Sequence, residues 1–340
     1  MDDRFKSKPA ASPAEQRIIE LTKQFSDNSN TSNMPSQDNK PNTKTVDVPH
    51  LGGISAAYQM PTPYDASKPT LVLVNSFTTS SELYQSQYAN DQLTSKINLI
   101  SIELLGHGQT RTKAPNWTYW DTAIMNLQVL DALGMTGAGK KVFVLGTSQG
   151  GWITTRMALL APDTISGIIP LGTSMDSESE RTRQLGCWDG PTGLTPTIAA
   201  CTTNAATPEF EPSDEYCDFL VDIGFGKECP SAAREFWKRE IKANYRGDEG
   251  RQRMRMAAIN LKERDGLHSR LFDVRCPVLW LHGTSDVVYS VANAREEIKM
   301  FVNSPDARLQ VVENGQHFLS FSHPKEVDDA LVAFVGKYGS

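Results

Sequence analysis

The chain has 340 residues, enough for one large domain carrying an insertion, and its 39% apolar and 8% aromatic content can fill a sizeable core. A formal net charge of −6 excludes a general binder of phosphate backbones, so no nucleic-acid partner is expected. Apolar runs such as 71–74 and 168–171 are strand-sized, far short of the ~20 residues that a membrane-spanning helix needs.

The N-terminus reads Met-Asp-Asp-Arg-Phe-Lys-Ser-Lys with no apolar stretch behind it, unlike a secretory or organellar leader, and a cytoplasmic location is expected. Residues 13–25 carry helical spacing at Ile18, Ile19, Leu21 and Phe25. Residues 26–44 are nearly all polar and cannot bury enough area to order themselves, so 1–44 reads as a disordered, partly helical extension. From residue 45 the pattern becomes regular. Strand-like runs fall at 54–58, 71–74, 97–102, 141–145, 166–171, 278–282 and 308–312, and helical segments at 81–92, 119–133, 152–160, 291–302 and 325–337. This alternation predicts a doubly wound, mainly parallel α/β sheet. The rhythm breaks between 175 and 270, which reads as an inserted cap within a core formed by 45–174 and 271–340.

The fourth run leads directly into Gly146-Thr147-Ser148-Gln149-Gly150-Gly151, followed by the apolar helix at 152–160. A serine on a sharp strand-to-helix turn, with glycine where any Cβ would collide, is the arrangement that exposes a hydroxyl for nucleophilic attack. Ser148 is therefore the candidate nucleophile.

The insertion is asymmetric in charge. Residues 175–229 hold 11 acidic against 3 basic side chains, whereas 230–275 hold 12 basic against 7 acidic. Helix faces that attract one another are the expected outcome, with an anionic-ligand face as the alternative. Aromatic side chains including Trp188, Tyr216, Phe219, Phe225 and Trp237 can fill the insertion's own core or line a pocket. Cys187, Cys201, Cys217 and Cys229 lie in the same stretch and Cys276 follows alone. Either two disulfides or reduced, buried thiols fit, and the spacings lack the Cys-x-x-Cys pairs of structural zinc, so no metal is expected.

A nucleophilic serine needs a base, and position decides among six histidines. His317 follows the last predicted strand, in a loop at the carboxyl edge of the sheet where ligand chemistry of open α/β folds is located. His282 and His107 sit in tight turns after other strands and read as structural. Asp286, directly after the run 278–282, is the carboxylate that would fix the tautomer of His317. The order Ser148, Asp286, His317 is the chain order of one triad class.

On these stretches, together with 71–77 and Glu103-Leu104-Leu105-Gly106-His107-Gly108-Gln109-Thr110, the chain from about 45 to 340 resembles the α/β-hydrolase superfamily. The resemblance implies an eight-stranded sheet, a helical cap after the sixth strand, and a site between cap and sheet that needs no cofactor or metal. It implies an oxyanion hole from the backbone N–H groups of Phe77 and Gln149. The usual His-Gly after the third strand is replaced by Asn75-Ser76, and Thr78 or Thr79 is expected to supply a compensating hydroxyl. Asn75, Thr78, Trp188 and Phe318 are expected to contact a small-molecule substrate. The activity implied is acyl transfer to water on a small apolar ester or lactone. Carbon–carbon bond hydrolysis, acyl transfer to another acceptor, and a non-catalytic binding protein on the same fold are the alternatives.

Overall fold

The computed structural model describes residues 43–339. The expectations for 1–42, including the helix at 13–25, lie outside the described residues, and Lys44, read as the end of the linker, opens the first strand.

Nine strands among the described residues form one sheet: β1 (Lys44–Val48), β2 (Ile54–Gln59), β3 (Thr70–Val74), β4 (Asn98–Ile102), β5 (Arg111–Thr112), β6 (Val142–Thr147), β7 (Ile165–Leu171), β8 (Val278–Gly283) and β9 (Ala307–Val312). Eight of them follow the path β1-β2-β4-β3-β6-β7-β8-β9, and the two-residue β5 pairs β2 at its margin. The run from β4 to β9 is parallel, while β1 and β2 add antiparallel pairs at one edge.

Why the inner strands lack an alternating pattern follows from burial on both faces. Along β3, Val72 and Val74 join one core cluster while Leu71 and Leu73 join another, and β6 divides in the same way between Val142, Val144 and Phe143, Leu145. Successive side chains of a strand point to opposite faces, so each strand feeds a core above and a core below the sheet.

The predicted helix at 81–92 is not one helix. A 3-10 turn over Ser81–Tyr84 gives way to two short helices, Gln85–Tyr88 and Asp91–Thr94. Asn90 makes the break: its side chain accepts from Gln92 N at 3.0 Å and donates to Asp328 Oδ2 at 2.7 Å. The segment read as 291–302 is likewise helical only over Val291–Glu297 before tightening to a 3-10 turn.

Between β7 and β8, the sixth and seventh strands of the main path, five helices are inserted: Glu180–Gln184, Gly190–Ala200, Asp214–Phe225, Ser231–Tyr245 and Gly247–Glu263. The charge asymmetry is resolved here. Arg234 pairs with Asp222 at 2.7 Å, Lys238 with Asp218 at 3.0 Å, and Lys242 with both Glu211 and Asp214 at 3.0 Å, so two helices meet along an ion-pair ladder. Beneath it Cys201, Tyr216, Cys217, Ile241, Tyr245 and Met254 form a separate small core. All five cysteines are unpaired and buried, and burial pushes the Cys201, Cys217 and Cys276 thiols up to about 12.

A buried ion pair joins the two ends of the insertion. Glu178, held at φ 61, pairs with Arg264, and both side chains are almost fully enclosed. The Glu178 carboxylate also accepts from Gly190 N at 2.7 Å, Trp188 Nε1 at 3.1 Å and Tyr289 Oη at 3.2 Å. The Arg264 guanidinium lies 4.0 Å from the centroid of Trp152.

Candidate active site

Ser148 sits between β6 and the helix Gln149–Leu160 at φ 54 and ψ −119, a backbone conformation that costs energy for a residue with a Cβ and persists only where the surroundings enforce it. The enforcement is visible. Ser148 N donates to Leu171 O at 2.9 Å, while its carbonyl accepts from Gly151 N at 2.8 Å and from Thr173 Oγ1 at 2.7 Å. The flanking glycines are required by contact: a Cβ on Gly146 would lie 2.1 Å from Gly150 O, and one on Gly150 would lie 2.5 Å from Val74 O.

Asp286 and His317 come together from the loops after β8 and β9. His317 Nδ1 lies 2.9 and 3.0 Å from the two Asp286 carboxylate oxygens, and Asp286 Oδ1 also accepts from Val288 N at 2.8 Å and Tyr289 N at 3.0 Å. Burial alone would raise the Asp286 pKa, but the His317 and His282 imidazoles and the backbone donors outweigh it and hold the carboxyl below its ordinary 3.8. With Asp286 ionised, Nδ1 carries the proton and Nε2 is the free nitrogen of His317. Ser148 and His317 line one cavity. Among the described residues no hydrogen bond joins their side chains, and the contacts of His317 Nδ1 go to Asp286.

The other histidines are engaged elsewhere. His282 Nε2 donates to Tyr289 O at 2.9 Å, supporting the Asp286 loop, His107 Nδ1 donates to Leu105 O at 2.9 Å, and His323 Nδ1 is 3.1 Å from Ser322 Oγ. His50 meets Asp121, and His268 meets Glu297, each at 2.7 Å.

The turn after β3 keeps its shape without the His-Gly pair. Asn75 Nδ2 donates to Thr79 O at 2.7 Å, Asn75 Oδ1 accepts from Leu104 N at 3.0 Å, and Ser76 N donates to Thr79 Oγ1 at 2.9 Å. Asn75 is therefore a buried pin of the turn, lies off the cavity, and is corrected as a substrate contact. Thr78 does line the cavity, at φ 61, but its hydroxyl donates to Phe77 O at 2.7 Å, and the Thr79 hydroxyl donates to Ser76 O at 2.9 Å. Neither hydroxyl is a spare donor. The backbone N–H groups of Phe77 and Gln149 meet no acceptor among the described residues.

The cavity encloses about 590 Å³, its open mouth included, and Phe77, Trp188 and Phe318 are in its wall. Leu194, Phe219, Ile223, Leu261 and Tyr289 add to the apolar lining. Tyr216, Phe219, Leu220 and Ile223 follow the 3–4 residue spacing of one helix face, a signal present in the sequence. No Asp, Glu, Lys or Arg side chain lines the cavity among the described residues. Nor does any group of three or more His, Cys, Asp or Glu among them form a cluster able to hold a metal.

A sheet of this order with a serine elbow, an Asp–His pair on the following loops and an enclosed apolar cavity defines the α/β-hydrolase class. The family model for the alpha/beta hydrolase fold matches residues 69–324, and the chain belongs to that family and is an α/β-hydrolase enzyme. A search of curated proteins finds no matching relative. Among solved structures, the chain is similar to a thermophilic esterase from Thermogutta terrifontis, 18% identical with a TM-score of 0.69, covering 87% of this chain and 100% of that one. A structure from a study of carboxylesterases of Nitrososphaera gargenis is 20% identical at TM-score 0.66 (87% and 99% covered). An enol-lactonase from Burkholderia xenovorans LB400 is 17% identical at TM-score 0.66 (86% and 100% covered). No helix among the described residues is long and apolar enough to cross a membrane.

Proposed function

We propose that the protein is a serine hydrolase that cleaves a small, uncharged, mostly apolar carboxylic ester or lactone through an acyl-enzyme on Ser148. The observation that carries this reading is the Asp286–His317 pair ending in the same apolar cavity as the strained Ser148. In this mechanism His317 Nε2 takes the Ser148 proton as Oγ attacks the substrate carbonyl, and then delivers it to the leaving alcohol. Asp286 stabilises the imidazolium. The N–H groups of Phe77 and Gln149 hold the oxyanion, where a single such donor is worth roughly 2.7–4 kcal/mol. Water, activated by His317 in the second half, releases the acid. Residues 175–270 act as a cap that supplies most of the apolar wall, which matches a compact acyl group and leaves a charged one without a partner. Esterases and an enol-lactonase among the structural relatives are consistent with this substrate class. A cytoplasmic setting, where the five unpaired cysteines would stay reduced, belongs to the same proposal.

The test is a panel of p-nitrophenyl esters of increasing acyl length together with small lactones, run on wild type and Ser148→Ala, with fluorophosphonate labelling in parallel. Hydrolysis of short to medium acyl chains, and labelling that disappears in Ser148→Ala, are expected. Silence of folded wild type on every ester and lactone, with no labelling, refutes the reading.

A further inference from the structure

His107 is a buried histidine that the chemistry above does not use. It occupies the turn after β4 and is 2% exposed. A carbonyl can only accept, so the 2.9 Å contact with Leu105 O puts the ring proton on Nδ1 and leaves Nε2 as an acceptor. That acceptor faces Gln149 Nε2 at 3.4 Å, and the other end of the same amide, Gln149 Oε1, accepts from Tyr119 Oη at 3.1 Å. The amide of the residue following Ser148 is thereby held at both ends. On its other side the His107 ring meets Phe77 edge-on, with centroids 6.3 Å apart and planes at 67°. It also meets Tyr245 of the insertion at 6.4 Å and 83°, while Asn244 Nδ2 donates to Gly106 O at 3.1 Å. One ring therefore contacts both Phe77 and Gln149, the two residues whose backbone N–H groups are proposed to hold the oxyanion.

We propose that His107 is a positioning residue for the oxyanion hole: an imidazole of fixed tautomer that anchors Gln149 through its side-chain amide and Phe77 through its ring, setting the spacing of their two N–H donors. The role rests on the functional reading of Ser148 given above. Burial lowers the His107 pKa to about 4, so the ring stays neutral near pH 7 and keeps the acceptor that an imidazolium would lose. The helix Ser231–Tyr245 buttresses the same turn through Asn244 and Tyr245, which ties the geometry of the hole to the insertion as well as to the sheet.

The experiment measures kcat, KM and thermal unfolding on a p-nitrophenyl ester for His107→Leu, His107→Phe, His107→Gln, Gln149→Leu and the double variant His107→Leu/Gln149→Leu. Misplacing a catalytic group by about 1 Å costs up to ~100-fold, so His107→Leu is expected to lower kcat on that scale with little change in KM. His107→Gln, whose Oε1 reaches the place of Nε2, recovers most of the loss. A residue that served stability alone would not be rescued in this way. In the double variant the two losses overlap instead of multiplying, because they remove the same hydrogen bond. Wild-type kcat in a folded His107→Leu, a loss confined to KM, or fully multiplicative losses would overturn the proposal. If the leucine variant does not fold, His107→Phe decides, since it keeps the ring contacts while removing the Nε2 acceptor together with the Nδ1–H donor to Leu105 O: a lowered kcat with KM unchanged supports the role and an unchanged kcat overturns it. Ser148→Ala, run alongside, separates the two readings. Turnover that survives it overturns the serine mechanism and this role together, whereas turnover that it abolishes but the His107 variants leave intact overturns this role alone.

Discussion

Replacing Glu178 by glutamine removes one charge from the buried pair with Arg264 and leaves the shape nearly unchanged. Both side chains are at most 2% exposed, so the guanidinium left behind gains no water. Breaking such a pair from one side costs about 3–5 kcal/mol. Two features of this site pull the expectation to the lower end. Arg264 still donates to Leu261 O, and it still lies 4.0 Å from the Trp152 ring, a cation–π contact worth up to ~2 kcal/mol when desolvated. A loss of about 3 kcal/mol is therefore expected, a fall in Tm of roughly 6–12 °C by the scaling of larger domains. The companion variant Glu178→Gln/Arg264→Met removes both charges and should recover most of that loss, because the penalty lies in the unpaired guanidinium rather than in the missing attraction. The function should move as well. Trp188 and Tyr289 both donate to Glu178 and both line the cavity, so KM should rise in Glu178→Gln while kcat changes less. Calorimetric unfolding of the wild type and the single and double variants reads the stabilities. An unchanged Tm in Glu178→Gln, or a double variant less stable than the single, would refute this account of the pair.

Asp286→Asn should lower kcat by up to ~10⁴ through loss of the correct His317 tautomer, measured by steady-state kinetics on the best ester, and a near-normal rate would place the acid elsewhere. Because the folded-state pKa of Asp286 lies below its unfolded value of 3.8, its contribution to stability is fully present above about pH 4 and is lost as pH falls through the lowered folded value. Unfolding curves from pH 7 down to 3 should therefore be steeper in wild type than in Asp286→Asn, and identical slopes would contradict the assignment. Gly150→Ala places a Cβ 2.5 Å from Val74 O and 2.9 Å from Asn75 O, so the turn carrying Phe77 must shift. A fall in Tm and a loss of activity of ~100-fold are expected, checked by calorimetry and ester hydrolysis, and a wild-type-like enzyme would show that the elbow has slack.

The candidate residues whose proposed chemistry demands fixed spacing are legible in the sequence alone. Ser148 is flanked by glycines that contact requires, and Asp286 and His317 each follow a strand that ends at the same sheet edge. What stayed hidden depends on partners far away in the chain. The break at Asn90 needs Asp328, and the role of Asn75 needs Leu104 N, so a polar residue in the right turn was read as facing substrate when it faces the turn itself. The strand β1 was missed because its alternation is mostly exposed, giving an edge strand little apolar signal. The cavity wall was half readable for a different reason. Helices of the insertion have two apolar directions, and Tyr216 belongs both to the insertion's own core and to the cavity, so periodicity alone does not divide core from pocket.

Rapid quenching of wild type mixed with an excess of p-nitrophenyl butyrate, followed by intact-mass measurement and peptide mapping, observes the proposed intermediate itself. A gain of one butyryl group, located on Ser148 and absent from Ser148→Ala, is the predicted result. Steady hydrolysis of that ester with an acyl group mapped to another residue, or unimpaired by Ser148→Ala, would contradict it.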